Sequence, residues 1–125
     1  MHVNRAQDVL VQRIRNSLAS HPDVQEKRMF GGLAFMVDGQ LAVSAGRDGD
    51  LLVRVDPSQY RDLLTAGGQP AYMGRDRPMG EGWMNVPMDV IADDEALAWW
   101  IAVGRTARSS RQAERPRQTR RGLSQ

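Results

Sequence analysis

The chain has 125 residues, 17 Lys/Arg against 15 Asp/Glu for a formal charge of +2, 41% hydrophobic and 6% aromatic residues, and no cysteine. That length allows one small hydrophobic core and excludes two independent ones. The missing cysteines exclude a disulfide framework, a thiolate nucleophile and Cys-ligated zinc.

No run reaches the roughly 18–20 apolar residues of a membrane span, and the N-terminus lacks the basic-then-apolar order of a secretory signal. A cytoplasmic protein without a membrane partner is expected. The charge total hides a sorting along the chain. Residues 1–104 hold 10 Lys/Arg against 14 Asp/Glu, a balance of −4, whereas residues 105–125 hold seven Arg and one Glu, a balance of +6. An argument for nucleic-acid affinity from charge alone therefore rests on the last segment.

Val3, Leu10, Ile14 and Leu18 fall at helical spacing, with Val9 and Val11 beside them, and predict an amphipathic helix from about Asn4 to Ala19. Asn4 suits an N-cap, and Ser20-His21-Pro22-Asp23 ends the helix, because the residue before proline resists helical geometry. Val24 to Phe30 predicts a first strand, and Gly31-Gly32 permits a bulge or a close backbone approach. The runs Leu33–Val37, Gln40–Ala45 and Leu51–Arg54 follow, joined by Asp38-Gly39 and Arg47-Asp48-Gly49-Asp50. Asp-Gly supplies the positive φ angles of a two-residue hairpin, so these runs predict an antiparallel meander.

Asp56-Pro57-Ser58 predicts a helix start with Pro57 in the first turn. Tyr60, Leu63 and Leu64 would pack that short helix on the sheet, and Ala66-Gly67-Gly68 would stop it. A short strand near Ala71–Met73, a glycine-rich loop and a strand from Trp83 to about Val86 come next. Asp93, Asp94 and Glu95 stand just before an apolar helical run through Leu97, Trp100 and Ile101, where carboxylates cap free amides and favour the helix dipole. The Trp99-Trp100 pair is expected to send at least one indole towards the sheet. From Arg108 the apolar pattern stops. The expected organisation is an α+β domain at 1–107, with N-terminal, middle and C-terminal helices packed on an antiparallel sheet. A disordered Arg-rich tail is expected at 108–125.

Arg28-Met29-Phe30-Gly31-Gly32, Asp38-Gly39, Leu51-Leu52-Val53-Arg54-Val55, Arg77-Pro78-Met79 and Gly82-Trp83 occur in that order. Together they resemble the N-terminal domain of TfoX/Sxy-type competence regulators, over roughly Lys27 to Arg108. The resemblance implies a compact α/β fold with helices on an antiparallel sheet, and a regulatory role. Such regulators usually carry a second, helical C-terminal domain. Here an Arg-rich tail stands in its place, so a stand-alone N-terminal-type domain is expected. The family motif supplies no catalytic or ligand residues.

The residues themselves give little to catalysis. There is no Gly-x-Ser-x-Gly elbow, and the histidines are His2, near the terminus, and His21, in a helix-ending turn. Asp48 and Asp50 match a calcium loop only in part, and the glycines from Gly74 to Gly82 lack a Gly-Lys-Ser/Thr ending. A non-enzymatic protein with no cofactor and no metal is expected. Its methionines and phenylalanines are read first as core filling. If Met79 and Trp83 face solvent, a partner or homodimer surface formed by Arg75, Arg77, Met79 and Trp83 becomes credible. Arg105, Arg108, Arg111, Arg115, Arg117, Arg120 and Arg121 could give weak, salt-sensitive, sequence-independent attraction to nucleic acid, or merely aid solubility.

Overall fold

The computed structural model describes residues 5–29, 31–73 and 77–107. Outside them lie the expected Asn4 cap, Phe30, Arg75 and the whole Arg-rich tail with its expected disorder. The first helix, α1 (Arg5–Ser17), ends short of Pro22 as the proline requires. Leu10, Val11, Ile14 and Leu18 are buried, whereas Val9 faces solvent.

Four strands follow: β1 (Val24–Met29), β2 (Gly32–Val37), β3 (Gln40–Ala45) and β4 (Leu51–Arg54). Asp38 and Gly39 take φ of 54° and 86°, both positive, which is what the type I′ turn between β2 and β3 requires. Gly32 sits so close to β3 that a β-carbon there would stand 2.3 Å from the Ala45 carbonyl oxygen, the close backbone approach its sequence allows. Between β2 and β3 the register shifts: Phe35 faces Val43 and Met36 faces Leu41, which leaves Ala42 as the extra residue of a bulge.

Asp56 caps a single 3-10 turn (Pro57–Gln59), its carboxylate accepting from the Ser58 amide at 3.0 Å and the Ser58 hydroxyl at 2.9 Å. That turn leads into α2 (Tyr60–Thr65). Gly67 at φ 114° ends it, and the Gly68 amide donates back to the Leu63 carbonyl at 3.1 Å. Leu63 is buried as expected, but Leu64 is 38% exposed, because a helix of under two turns directs one narrow stripe at the core. The chain then forms β5 (Gln69–Pro70), β6 (Tyr72–Met73), β7 (Arg77–Pro78) and β8 (Trp83–Val86). The last helix, α3, covers 94–107, and Asp93 caps it by accepting from the Ala96 amide at 2.8 Å. The acidic triplet thus includes a helix cap. Trp100 is the indole that turns inwards, and Trp99 stays half exposed.

The large sheet runs β1-β2-β3-β4-β8-β5, every neighbouring pair antiparallel, with β6 and β7 pairing beside it. Strand side chains alternate between faces. Phe35, Val43, Val53 and Met84, in register across four strands, join one core cluster with Leu10 and Ile14 of α1, Leu63 of α2, and Leu97, Trp100 and Ile101 of α3. Leu51 and Val86 extend the same face. All three helices therefore cover one side of the sheet. Met84 and Phe35 fill that core as expected, but Met88 is 50% exposed, since it follows β8 and escapes its alternation.

Helix α3 rests directly on the bulge. A β-carbon on Gly104 would stand 2.4 Å from the Ala42 carbonyl oxygen, which is backbone and cannot swing away. Gly104→Ala should therefore destabilise the fold by about 1–3 kcal/mol, despite alanine's better helix propensity. Thermal melting followed by circular dichroism should show a midpoint lower by roughly 5 °C or more; an unchanged or raised midpoint would contradict this packing.

Candidate functional site

With the helices on one side, the other side of the sheet presents a different set of residues. Lys27, Ala34, Ser44, Leu52, Asn85 and Gln69 form one row across all six strands, by the register of each pair. Arg54 and Trp83, paired across β4 and β8, extend the same face by two positions. The Arg54 guanidinium carbon lies 5.3 Å from the centre of the Trp83 ring, a cation–π stack. Ala34 and Ser44 are buried, whereas Leu52, Arg54, Trp83 and Asn85 are half-buried. Next to this patch, Leu52, Gln69, Pro70, Ala71, Tyr72 and Asn85 line a groove of about 600 Å³, with the Tyr72 side chain 54% exposed.

Asp50 orients the groove's amide. Its carboxylate accepts from Asn85 Nδ2 at 3.2 Å and from the Met88 amide at 3.0 Å, tying the β3–β4 turn to the end of β8. Asp50 thus acts as a satisfied turn residue, the role its Asp-Gly-Asp context suggests. Among the described residues, no group of three or more His, Asp or Glu could hold a metal ion. The Ser58–Asp56 pair, which resembles part of a catalytic relay in isolation, is a helix cap. The arrangement suits binding: apolar surface, two amides and a stacked cation on a rigid sheet.

Glu26 and Lys27, successive residues of β1, fall on opposite faces. On β1, Glu26 shares a row with Phe35 on the helix side, and Lys27 with Ala34 on the open side. Arg15 of α1 grips Glu26 in a fork, Nε to Oε2 at 2.7 Å and Nη2 to Oε1 at 2.8 Å. That hydrogen bonding, with a smaller coulombic contribution from the same Arg15, holds the Glu26 carboxyl below its ordinary value even though partial burial opposes it. Arg13 ties α1 to the approach of α3, donating to the Ile91 carbonyl at 2.8 Å and the Asp94 carboxylate at 3.2 Å.

The residues singled out in the sequence are distributed unevenly. Trp83 lies on the open face beside Arg54, Met79 is half-buried, and Arg77 is exposed on β7. Arg75 lies outside the described residues, as do Arg108, Arg111, Arg115, Arg117, Arg120 and Arg121. Arg105 belongs to α3, and its Nε is buried with no hydrogen-bond partner among the described residues. Sequence reading missed Leu52, Arg54, Asn85, Gln69 and Tyr72 as site residues. The available signal was the alternation Leu51-Leu52-Val53-Arg54, which places Leu52 and Arg54 opposite the core residues.

Across the helix side, α2 and α3 leave a second groove of about 420 Å³, walled by Trp99 and floored by Leu63 and Val103. No described helix is long and apolar enough to cross a membrane. The family model of the TfoX N-terminal domain matches residues 16–107, most of the chain. No curated protein matches it.

Glu26 has a depressed value, so its pairing stabilises the fold fully above its ordinary value of 4.5 and fades as the pH falls through the lower, folded value. Glu26→Gln should therefore melt below the unsubstituted protein at pH 7 in low salt. The gap should close as the pH drops below about 4, and should shrink in high salt because the pair is solvent-screened. A gap that is constant with pH would show that the fork contributes through something other than charge.

Proposed function

The chain belongs to the TfoX N-terminal domain family, and from that premise we propose that it is a non-catalytic, cytoplasmic regulatory module that docks a partner on the helix-free face of its sheet. The observation that carries this reading is the one-sided architecture. Three helices share one core cluster with alternate strand residues. The remaining face combines Leu52, Trp83 and Tyr72 with Arg54 and Asn85, a mixture of apolar, aromatic and amide groups with arginine that suits an interface. The exposed β7 edge at Arg77 and the half-buried Met79 continue from it, in keeping with partner contact through the 75–83 segment. The partner is a protein or a second copy of the chain in this reading.

A second reading is favoured by the sequence's own charge sorting. Six arginines between 108 and 121 would attract nucleic acid weakly and without sequence preference, released by salt.

Deleting the gene and restoring it in the cells that carry it tests the docking reading. The unsubstituted chain should restore the transcript profile that deletion disturbs, and Leu52→Asp, with its fold checked by circular dichroism, should fail to do so. A deletion that leaves transcripts unchanged would overturn the regulatory role, and restoration by Leu52→Asp would overturn the face as its seat.

A further inference from the structure

The large sheet ends in two very different edges. β5 is two residues long and contains Pro70, which has no amide to donate, so it offers a further strand little to pair with. β1 runs for six residues, with Gln25, Glu26, Lys27 and Arg28 all exposed. The Asp38 amide donates to the Asp23 carbonyl at 3.0 Å, and in an antiparallel pair such bonding recurs at every second residue. Residues 25, 27 and 29 therefore bond inwards to β2, and the amides and carbonyls of Val24, Glu26 and Arg28 point out from the edge.

Charges on such an edge ordinarily keep foreign strands away. These charges, however, are complementary to a second copy of β1 in one register. A two-fold axis perpendicular to the sheet would set two β1 strands antiparallel and keep every residue on its own face, so even positions meet even ones and odd meet odd. With Lys27 opposite its own copy, Glu26 meets Arg28 twice, and both pairs fall at positions whose backbone groups point outwards. Sliding one strand by two residues either way would instead set Glu26 against Glu26 or Arg28 against Arg28. Arg15 grips Glu26 from within its own chain, yet the Glu26 side chain keeps 31% of its surface exposed, and a carboxylate has lone pairs for a second cation. Arg28 makes no ion pair among the described residues. The facing Lys27 pair offsets part of this gain, reduced because long side chains can diverge into water.

We propose that two copies of the chain join along β1 into one continuous antiparallel sheet, six strands from each, with Glu26 of each copy against Arg28 of the other. Both sets of helices then lie on one side, and the two helix-free faces merge into a single surface on the other. This inference goes beyond the docking reading and stands independently of it. One strand pair is small beside a standard interface of roughly 1,200–2,000 Å², so the association is weak and concentration-dependent.

The chain has no cysteine of its own, so single-cysteine variants of the full chain can read the register. At a pair that is not hydrogen-bonded the facing α-carbons stand about 4.5 Å apart, within reach of a disulfide. Lys27→Cys should therefore cross-link to a dimer under mild copper–phenanthroline oxidation. Gln25→Cys should not, because its two copies would be offset by four residues, about 13 Å along the strands. Sedimentation equilibrium should show the unsubstituted chain associating as its concentration rises, and Arg28→Glu should raise the dissociation constant by roughly 5-fold or more. All three positions are exposed, so the variants should keep their fold, checked by circular dichroism. A monomer at every concentration, equal cross-linking of the two cysteine variants, or a dissociation constant unmoved by Arg28→Glu would each overturn the proposal.

Discussion

The close seating of α3 on β3 is the constraint on which the rest of the structure depends. Ala42 is an extra residue in β3, and its carbonyl oxygen occupies space where any side chain at Gly104 would have to stand. A bulge and a helical glycine, about half the chain apart, thus meet backbone to backbone. The same helix is fitted at a second point. A β-carbon on Gly68, at the end of α2, would come within 2.5 Å of Met84 Sδ and 3.1 Å of Trp100 Cη2. These clearances fix the depth of α3, and with it the position of the Trp100 indole in the core. Arg13 then joins α1 to the segment that leads into α3, so the helices form one connected layer.

A single layer of helices leaves the second face of the sheet without a helix, and there Ala34 and Ser44 are buried while Leu52, Arg54, Trp83 and Asn85 are half-buried. Antiparallel sheets tolerate this, because alternation lets one face be apolar while the other stays mixed. The mixture observed is not a simple polar coat. Leu52 and Trp83 lie among Arg54, Asn85 and Lys27, and the aromatic ring of Tyr72 projects beside them. Apolar and aromatic surface at the centre of an open sheet has no role in the core, which the other face already supplies. Its placement is therefore the strongest structural reason to look for function there.

Most of the fold was legible because its signals are local. Asp38-Gly39 dictates its hairpin through two positive φ angles, Asp56-Pro57 and Asp93 mark helix starts, and Gly67-Gly68 marks a helix end, all within a few residues. The features that escaped depend on distant partners. Gln69 and Pro70 become a strand only by pairing with Asn85 and Met84, and a two-residue strand containing proline carries no period of its own. Trp83 could be recognised as a strand residue, but its stacking with Arg54 requires β4 and β8 to be neighbours across an intervening helix and hairpin. The candidate face was hidden for the same reason: its members are scattered from Lys27 to Asn85 and meet only through the register. The exposure of Leu64 shows the converse error, in which a correct helical spacing was given a wider buried stripe than so short a helix can have.

The register also explains where an acidic body places the charges of its strands. Along β1 the sequence Glu26-Lys27 places opposite charges on successive residues, and the pleat sends them to opposite faces. The acid goes to the side where α1 supplies Arg15 to meet it, and the base goes to the side that lacks a helix. In β4, Arg54 is flanked by Val53 and Val55, whose burial fixes its direction towards the open face. No long-range steering is required. A two-residue period, combined with helices on one side, separates Glu26 from Lys27 and directs Arg54 away from the buried Val53 and Val55.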